Sequence, residues 1–181
     1  MEESVYEPPK TVAVFWNDMR SSLSTDKDRL VEFFLDNYVG FFRRKRAADF
    51  YFFSKDTLSF LFDLPNVLLV GAPNSTNVKA VSVFTYTPYA GEYLCNISLP
   101  EGRDHAAALL WYAVEHLKSM RIPILNLGGS SAEFKRRFGA RQMPLRCLKQ
   151  VYDPSVYGGL CLRAKVDPDD RQGYFPPYDC V

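Results

Sequence analysis

The sequence predicts a mixed α/β (α+β) domain, a largely antiparallel sheet flanked by helices. Three observations predict it: apolar residues at helical spacing up to Pro65, strand-like runs after it, and a renewed alternation of helix and strand beyond residue 100. With 181 residues, 47% apolar and 15% aromatic, the chain can bury a core of its own. The expected division is one domain with an N-terminal helical part over residues 1–165, followed by an extended proline-rich and aromatic arm over 166–181.

Ser24 to Asp28 supplies capping residues ahead of RLVEFFLDNYVGFFRRKR, where Leu30, Phe33, Phe34, Tyr38, Phe41 and Phe42 recur at helical spacing. This is an amphipathic helix with Gly40 as the place for a break, and its basic end complements the carbonyl end of the helix dipole. SKDTLSFLFDL repeats the pattern, with Ser54 or Asp56 as cap and Pro65 as stop. NVLLVGA, VKAVSVFTYT and GEYLCNIS are β-branched or aromatic, and PNSTN and PYAG between them suit hairpin turns, so an antiparallel meander of three strands is expected. PEGRDHAAALLWYAVEHLKSMRI reads as a loop and then a helix that Asp104 can cap and that should lie across the sheet. IPILNLGG returns as a strand, SAEFKRRFG as a short helix stopped by Gly139, and MPLRCLKQVY as a last strand.

Charge and cysteine usage narrow the function classes. Twenty-two Lys and Arg against 21 Asp and Glu leave a net charge of +1, so no global field draws the molecule onto nucleic acid or anionic lipid. Basic residues are confined to two short runs, which argues against a sequence-specific nucleic-acid binder. Cys95, Cys147, Cys161 and Cys180 form no CxxC pair and only two histidines exist, so no metal site is expected and the thiols read as reduced and structural. MEESVYEPPK is acidic and proline-bearing, unlike a secretory signal, and no apolar run reaches membrane-span length; the expected compartment is the cytoplasm.

The ordered set Leu127-Gly128-Gly129, Phe134-Lys135, Phe138-Gly139 and a Pro144-initiated strand, set behind three strands and a helix, resembles the acyltransferase domain of the Fem-like peptidoglycan aminoacyltransferases and their acetyltransferase-like relatives in the GNAT superfamily. The resemblance covers roughly Tyr51 to Leu160. It implies a GNAT-like fold whose splayed central strands admit an acyl donor, with acyl-CoA or aminoacyl-tRNA as that donor, an amine as acceptor and no metal. The Phe-Lys pair of the pattern falls on Phe134 and Lys135, whose ammonium would stabilise the tetrahedral oxyanion. Arg136 and Arg137 would bind phosphate, and the alternative is a solvated cationic helix face. Residues at the ends of the splayed strands, Asn96, Ser98 and Asn126, would line the donor site, while Gly128 and Gly129 would allow close backbone approach. Glu92 and His105 are the available general bases; Tyr152 and Tyr157 match a closing motif and read as packing residues.

The sequence departs from that pattern at the start of the central helix. Where the acetyltransferase pattern has Gln/Arg-x-x-Gly-x-Gly/Ala for the CoA pyrophosphate, this chain has Glu101, Asp104 and Ala106, with Arg103 between them. Two acids at those places cost on the order of 1 kcal/mol each against a nearby phosphate, so weak or absent acetyl-CoA binding is expected. Fem-like enzymes also carry two such domains, and this chain holds one. Either the acceptor is a small molecule or peptide amine, or a second copy supplies the missing surface as a homodimer, or the domain is a non-catalytic module that binds a metabolite, a tRNA acceptor end or a protein.

Overall fold

The computed structural model describes residues 22–74, 76–128, 132–143, 150–165 and 167. The chain divides into two compact units, Met1–Arg141 and Gln142–Val181. In the first unit, α1 spans Lys27–Arg44 and Asp26 caps it by accepting from the Arg29 amide. It runs through Gly40 without a break, correcting that expectation. Leu30, Phe34 and Tyr38 are buried along one stripe, and their burial outweighs a glycine's cost of about 1 kcal/mol in a helix. A 3-10 turn over Asp49–Tyr51 leads to α2, Lys55–Asp63, whose cap is Ser54 and not Asp56, since the Ser54 hydroxyl accepts from the Thr57 amide.

Strands β1 (Val67–Ala72), β2 (Ala80–Tyr86) and β3 (Gly91–Ser98) form the expected antiparallel meander. A fourth strand, β4 (Leu125–Asn126), lies parallel to β3 in a sheet of order β1-β2-β3-β4, which is therefore mixed but largely antiparallel. Between β3 and β4 run a 3-10 turn, Pro100–His105, and α3, Ala106–Ser119. Asp104 is not the cap of α3: it is exposed within the 3-10 turn, and His105 takes the capping place with no side-chain bond. The turn's own backbone bonds, such as Ala106 N to Arg103 O, already occupy the early amides that a cap would serve. Helix α4, Ala132–Arg136, follows β4.

The sheet is sandwiched between helices, and strand alternation divides its core in two. Leu69, Val81, Val83 and Ile97 pack with Leu30, Phe34 and Tyr38 of α1 and Leu58 and Phe62 of α2. On the opposite face Val70, Ala72, Ala80 and Phe84 pack with Leu109, Leu110 and Ala113 of α3. No helix among the described residues is long and apolar enough to cross a membrane.

In the second unit, α5 spans Pro154–Ala164, a helix that the sequence reading missed because Gly158-Gly159 weakens the pattern. Asp153 caps it, accepting from the Ser155 and Val156 amides at 2.9 and 3.1 Å; the Val156 bond, then those from Ser155, hold its carboxyl below the usual range. Tyr152, expected to pack, is 88% exposed ahead of this helix, and Tyr157 lies within it. Residues 144–149, most of the expected last strand, fall outside the described residues, as do Cys147, Cys180 and nearly all of the expected arm.

Two phenylalanines on α2 test this core directly. Phe62 is 1% exposed and meets Phe34 edge to face at 5.0 Å, whereas Phe60 is 69% exposed. Phe62→Ala should lower the unfolding free energy by about 3–5 kcal/mol and Phe60→Ala by less than about 0.5 kcal/mol, as read by urea denaturation. Equal losses would contradict the packing of α2.

Candidate functional site

β3 and β4 are paired only at Gly91 with Leu125 and Glu92 with Asn126. Two local features separate them beyond that point. On β3, the register against β2 slips so that Val83 faces Cys95 while Phe84 faces Tyr93, leaving Leu94 as an extra residue. Such a bulge bends its strand, and it also turns Tyr93 and Cys95 to opposite faces although they are two apart. Tyr93 accordingly packs with the α3 cluster and Cys95 with the α1 cluster. On the β4 side, Asn126 Oδ1 accepts from Gly128 N at 2.9 Å, and Gly128 adopts φ +69, a left-handed conformation that ends a strand and suits glycine. Lys135 fixes the same turn, its Nζ donating to Gly128 O at 2.8 Å.

Along the edge of β3 so freed runs a cavity of about 990 Å3. Tyr93, Leu94, Cys95, Asn96 and Ser98 form its β3 wall. One end is made by Pro100, Arg103, Ala106 and Phe134. The 3-10 turn there sits tightly on the chain entering β2: a Cβ on Gly102 would fall 2.2 Å from Lys79 O, so only glycine fits. The other end is aromatic, built by Phe34, Tyr38, Phe41, Phe42 and Phe62 together with Tyr51 and Phe53, and Arg44 and Lys45 complete it.

The polar groups of the β3 wall are committed to the sheet. Asn96 Nδ2 donates to Ser82 Oγ at 3.0 Å and to Val81 O at 3.4 Å, so its amide is oriented by the strand beside it. Burial first, then the nearby Cys95, pushes the Tyr93 hydroxyl up to about 12, against a hydrogen bond from Ser82 that lowers it. Burial pushes the Cys95 thiol up to about 12 as well. A thiol raised in this way stays protonated near neutral pH, which suits a wall residue. Tyr38 Oη donates to Tyr51 O and accepts from Phe53 N at 3.4 Å, which pins the aromatic segment against α1.

Of the residues singled out from the sequence, Asn96, Ser98, Arg103, Ala106 and Phe134 meet on the cavity wall. Asn126, Gly128 and Lys135 meet each other at the β4 turn and are not on that wall. Lys135 is only 9% exposed, and desolvation lowers its pKa. Arg136 and Arg137 are exposed beside it, and Gly129 lies outside the described residues. His105 is absent from the lining, as is Glu92, and its Nδ1 is buried with no hydrogen-bond partner. Glu101 and Asp104 are exposed and off the wall, with Arg103 on it. The aromatic end of the cavity, with Arg44 and Lys45, was missed as a site. Its signal was present in the seven Phe and two Tyr between Phe33 and Phe53, but helical spacing explained α1 as core alone.

No family model matches the chain and no curated protein matches it. Among solved structures it is similar to the possible acetyltransferase from Clostridium difficile 630, at TM-score 0.51 and 10% identity, over 72% of this chain and 97% of that one. An acetyltransferase from Trypanosoma brucei matches at TM-score 0.50 and 14% identity, over 71% and 98%. A ribosomal-protein-alanine N-acetyltransferase from Brucella melitensis biovar Abortus 2308 aligns at TM-score 0.48 and 15% identity, over 71% and 97%. At these identities the likeness to the first two shows the fold alone, and it is the GNAT-like fold that the resemblance in the sequence implied.

The chemistry of the β3 wall has a direct readout. Iodoacetamide at pH 8, followed by peptide mass mapping, should label Cys95 more slowly in the native protein than once denaturant is added, because the raised thiol pKa leaves little thiolate. Rapid native labelling would show a solvated, reactive thiol and contradict the burial described here.

Proposed function

We propose that the protein is an N-acyltransferase that carries an acyl group from a thioester to an amine, with the donor laid along the gap between β3 and β4. The observation that carries this reading is one cavity that runs from the Pro100–His105 turn, past the unpaired edge of β3, to the aromatic wall of α1 and α2. A linear donor and a separate acceptor need such an elongated site with strand-edge backbone groups along it. In the transfer the amine nitrogen attacks the thioester carbonyl, the C–N bond forms as the C–S bond breaks, and the amine proton ends on the departing thiolate.

An acyl-CoA is the donor that this chain's residues suit. Arg103 is on the wall at the turn, while Glu101 and Asp104, whose charge would oppose a phosphate, point off it. An aminoacyl-tRNA donor has less to bind: a net charge of +1 offers no broad basic surface. The Fem-like affiliation is the finer reading, and it rests on Leu127-Gly128-Gly129, Phe134-Lys135 and Phe138-Gly139. In the proposed site Phe134 lines the donor end, whereas Lys135 is a positioning residue that holds the Gly128 turn and so keeps β4 away from β3.

One observation favours a second reading, a GNAT-like module that binds without turnover. Among the described residues, the lining includes no Asp, Glu or His, the side chains with the usual proton-accepting chemistry. The catalytic reading therefore requires an amine that arrives neutral, and its rate should rise with pH until the acceptor's own pKa is reached.

Calorimetric titration with CoA, followed by an acyl-CoA transfer assay over an amine panel, separates the readings. CoA should bind, and Arg103→Gln should weaken it about tenfold at low salt, less as salt rises. Binding with transfer supports the enzyme; binding with no transfer to any amine supports the module; no binding of CoA contradicts the donor assignment.

A further inference from the structure

The aromatic end of the cavity has a chemistry that a donor thioester does not require. Phe42 stacks on Tyr51 with ring centroids 5.6 Å apart and planes at 11°, and Phe41 meets Phe42 edge to face at 5.5 Å. Tyr51 and Phe53 are 44% and 55% exposed, an unusual state for two rings on a pocket wall that Tyr38 holds in place. Exposed rings fixed around a concave site are surface prepared for a flat apolar group.

The charges at this end point the same way. Arg44 and Lys45 stand at the close of α1, on the cavity, and neither is ion-paired to a carboxylate among the described residues. Lys45 Nζ lies 5.8 Å over the Phe41 ring, and Arg44 folds back beside Gly40. Among the described residues, no Asp or Glu lines the cavity. A wall of rings that ends on two cations and offers no carboxylate repels polycationic amines and suits an anion on an apolar body.

We propose that the acceptor is an amine built on an aromatic body that carries an anionic group, a carboxylate or a phosphate, at its far end. The ring lies among Phe42, Tyr51 and Phe53, the anion at Arg44 and Lys45, and the amine toward the β3 edge. This inference rests on the transfer reading and names its substrate class.

Equilibrium binding tests it without turnover. Titrate the protein at low salt with 3-phenylpropionate, 2-phenylethyl phosphate, 3-phenylpropan-1-ol and 2-phenylethylamine, following heat or intrinsic fluorescence, with a CoA titration of the wild type alongside. At least one of the two anions should bind about tenfold tighter than the alcohol, and the one that binds tighter identifies the group. Arg44→Gln with Lys45→Gln should erase that preference, and Phe53→Ala, at an exposed ring, should weaken anion and alcohol alike. Equal affinity for acid and alcohol, a preference for 2-phenylethylamine, or no saturable aryl binding would overturn the proposal. If that happens while CoA still binds, the acceptor class fails and the donor reading stands; if CoA also fails to bind, both fall.

Discussion

Everything about the site depends on β3 and β4 being joined at one end only. A parallel pair that continued past Glu92 and Asn126 would satisfy its backbone groups internally and close the sheet. Instead the Leu94 bulge bends β3, and the Asn126–Gly128 turn stops β4 after two residues, so their pairing ends at Glu92 and Asn126, and the cavity is lined by the β3 residues that follow. In the proposed complex the remaining edge groups of β3 would gain from the donor what a neighbouring strand would have given. Packing of α1 and α2 on one face and α3 on the other keeps the opened sheet from collapsing, since both helical layers bury full-sized side chains against it.

Lys135 shows how a charge can serve that opening without touching the cavity. Its side chain is mostly covered, and partial desolvation of the ammonium lowers its pKa; the bond to Gly128 O supplies part of what solvent no longer does. The folded state gives up this proton before the unfolded chain does, so the contribution of Lys135 to stability grows as pH rises toward its ordinary value of 10.5. A charge used in this way reads, in a sequence, like any cation on a short helix. Asn126 is similar: an asparagine in an apolar strand suggested a ligand, and its side chain serves the backbone two residues on.

The periodic elements were legible because their residues carry the signal locally. The three meander strands, α1, α2 and α3 follow from apolar spacing and turn residues. What escaped were consequences of tertiary geometry. The register slip at Leu94 has no local marker, since Tyr-Leu-Cys-Asn is an ordinary strand sequence, and only pairing against β2 reveals the extra residue. Asp104 looked like a cap until the 3-10 turn used the amides first. Asn96, Ser98, Arg103, Ala106 and Phe134, singled out through the resemblance, lie on the cavity wall, but the ring-lined end was hidden, because a helix with one fully buried stripe gives no sign that its flanking Phe41, Phe42, Arg44 and Lys45 face open space.

The central claim is that the parted strands are a passage for the donor. A crystal structure of the protein with CoA bound tests it most directly. The account predicts the pantetheine arm between β3 beyond Glu92 and the Gly128 turn, hydrogen-bonded to the β3 edge, with the phosphates at Arg103. A structure in which β3 and β4 pair continuously to Ser98, or in which CoA lies on another surface, would contradict it.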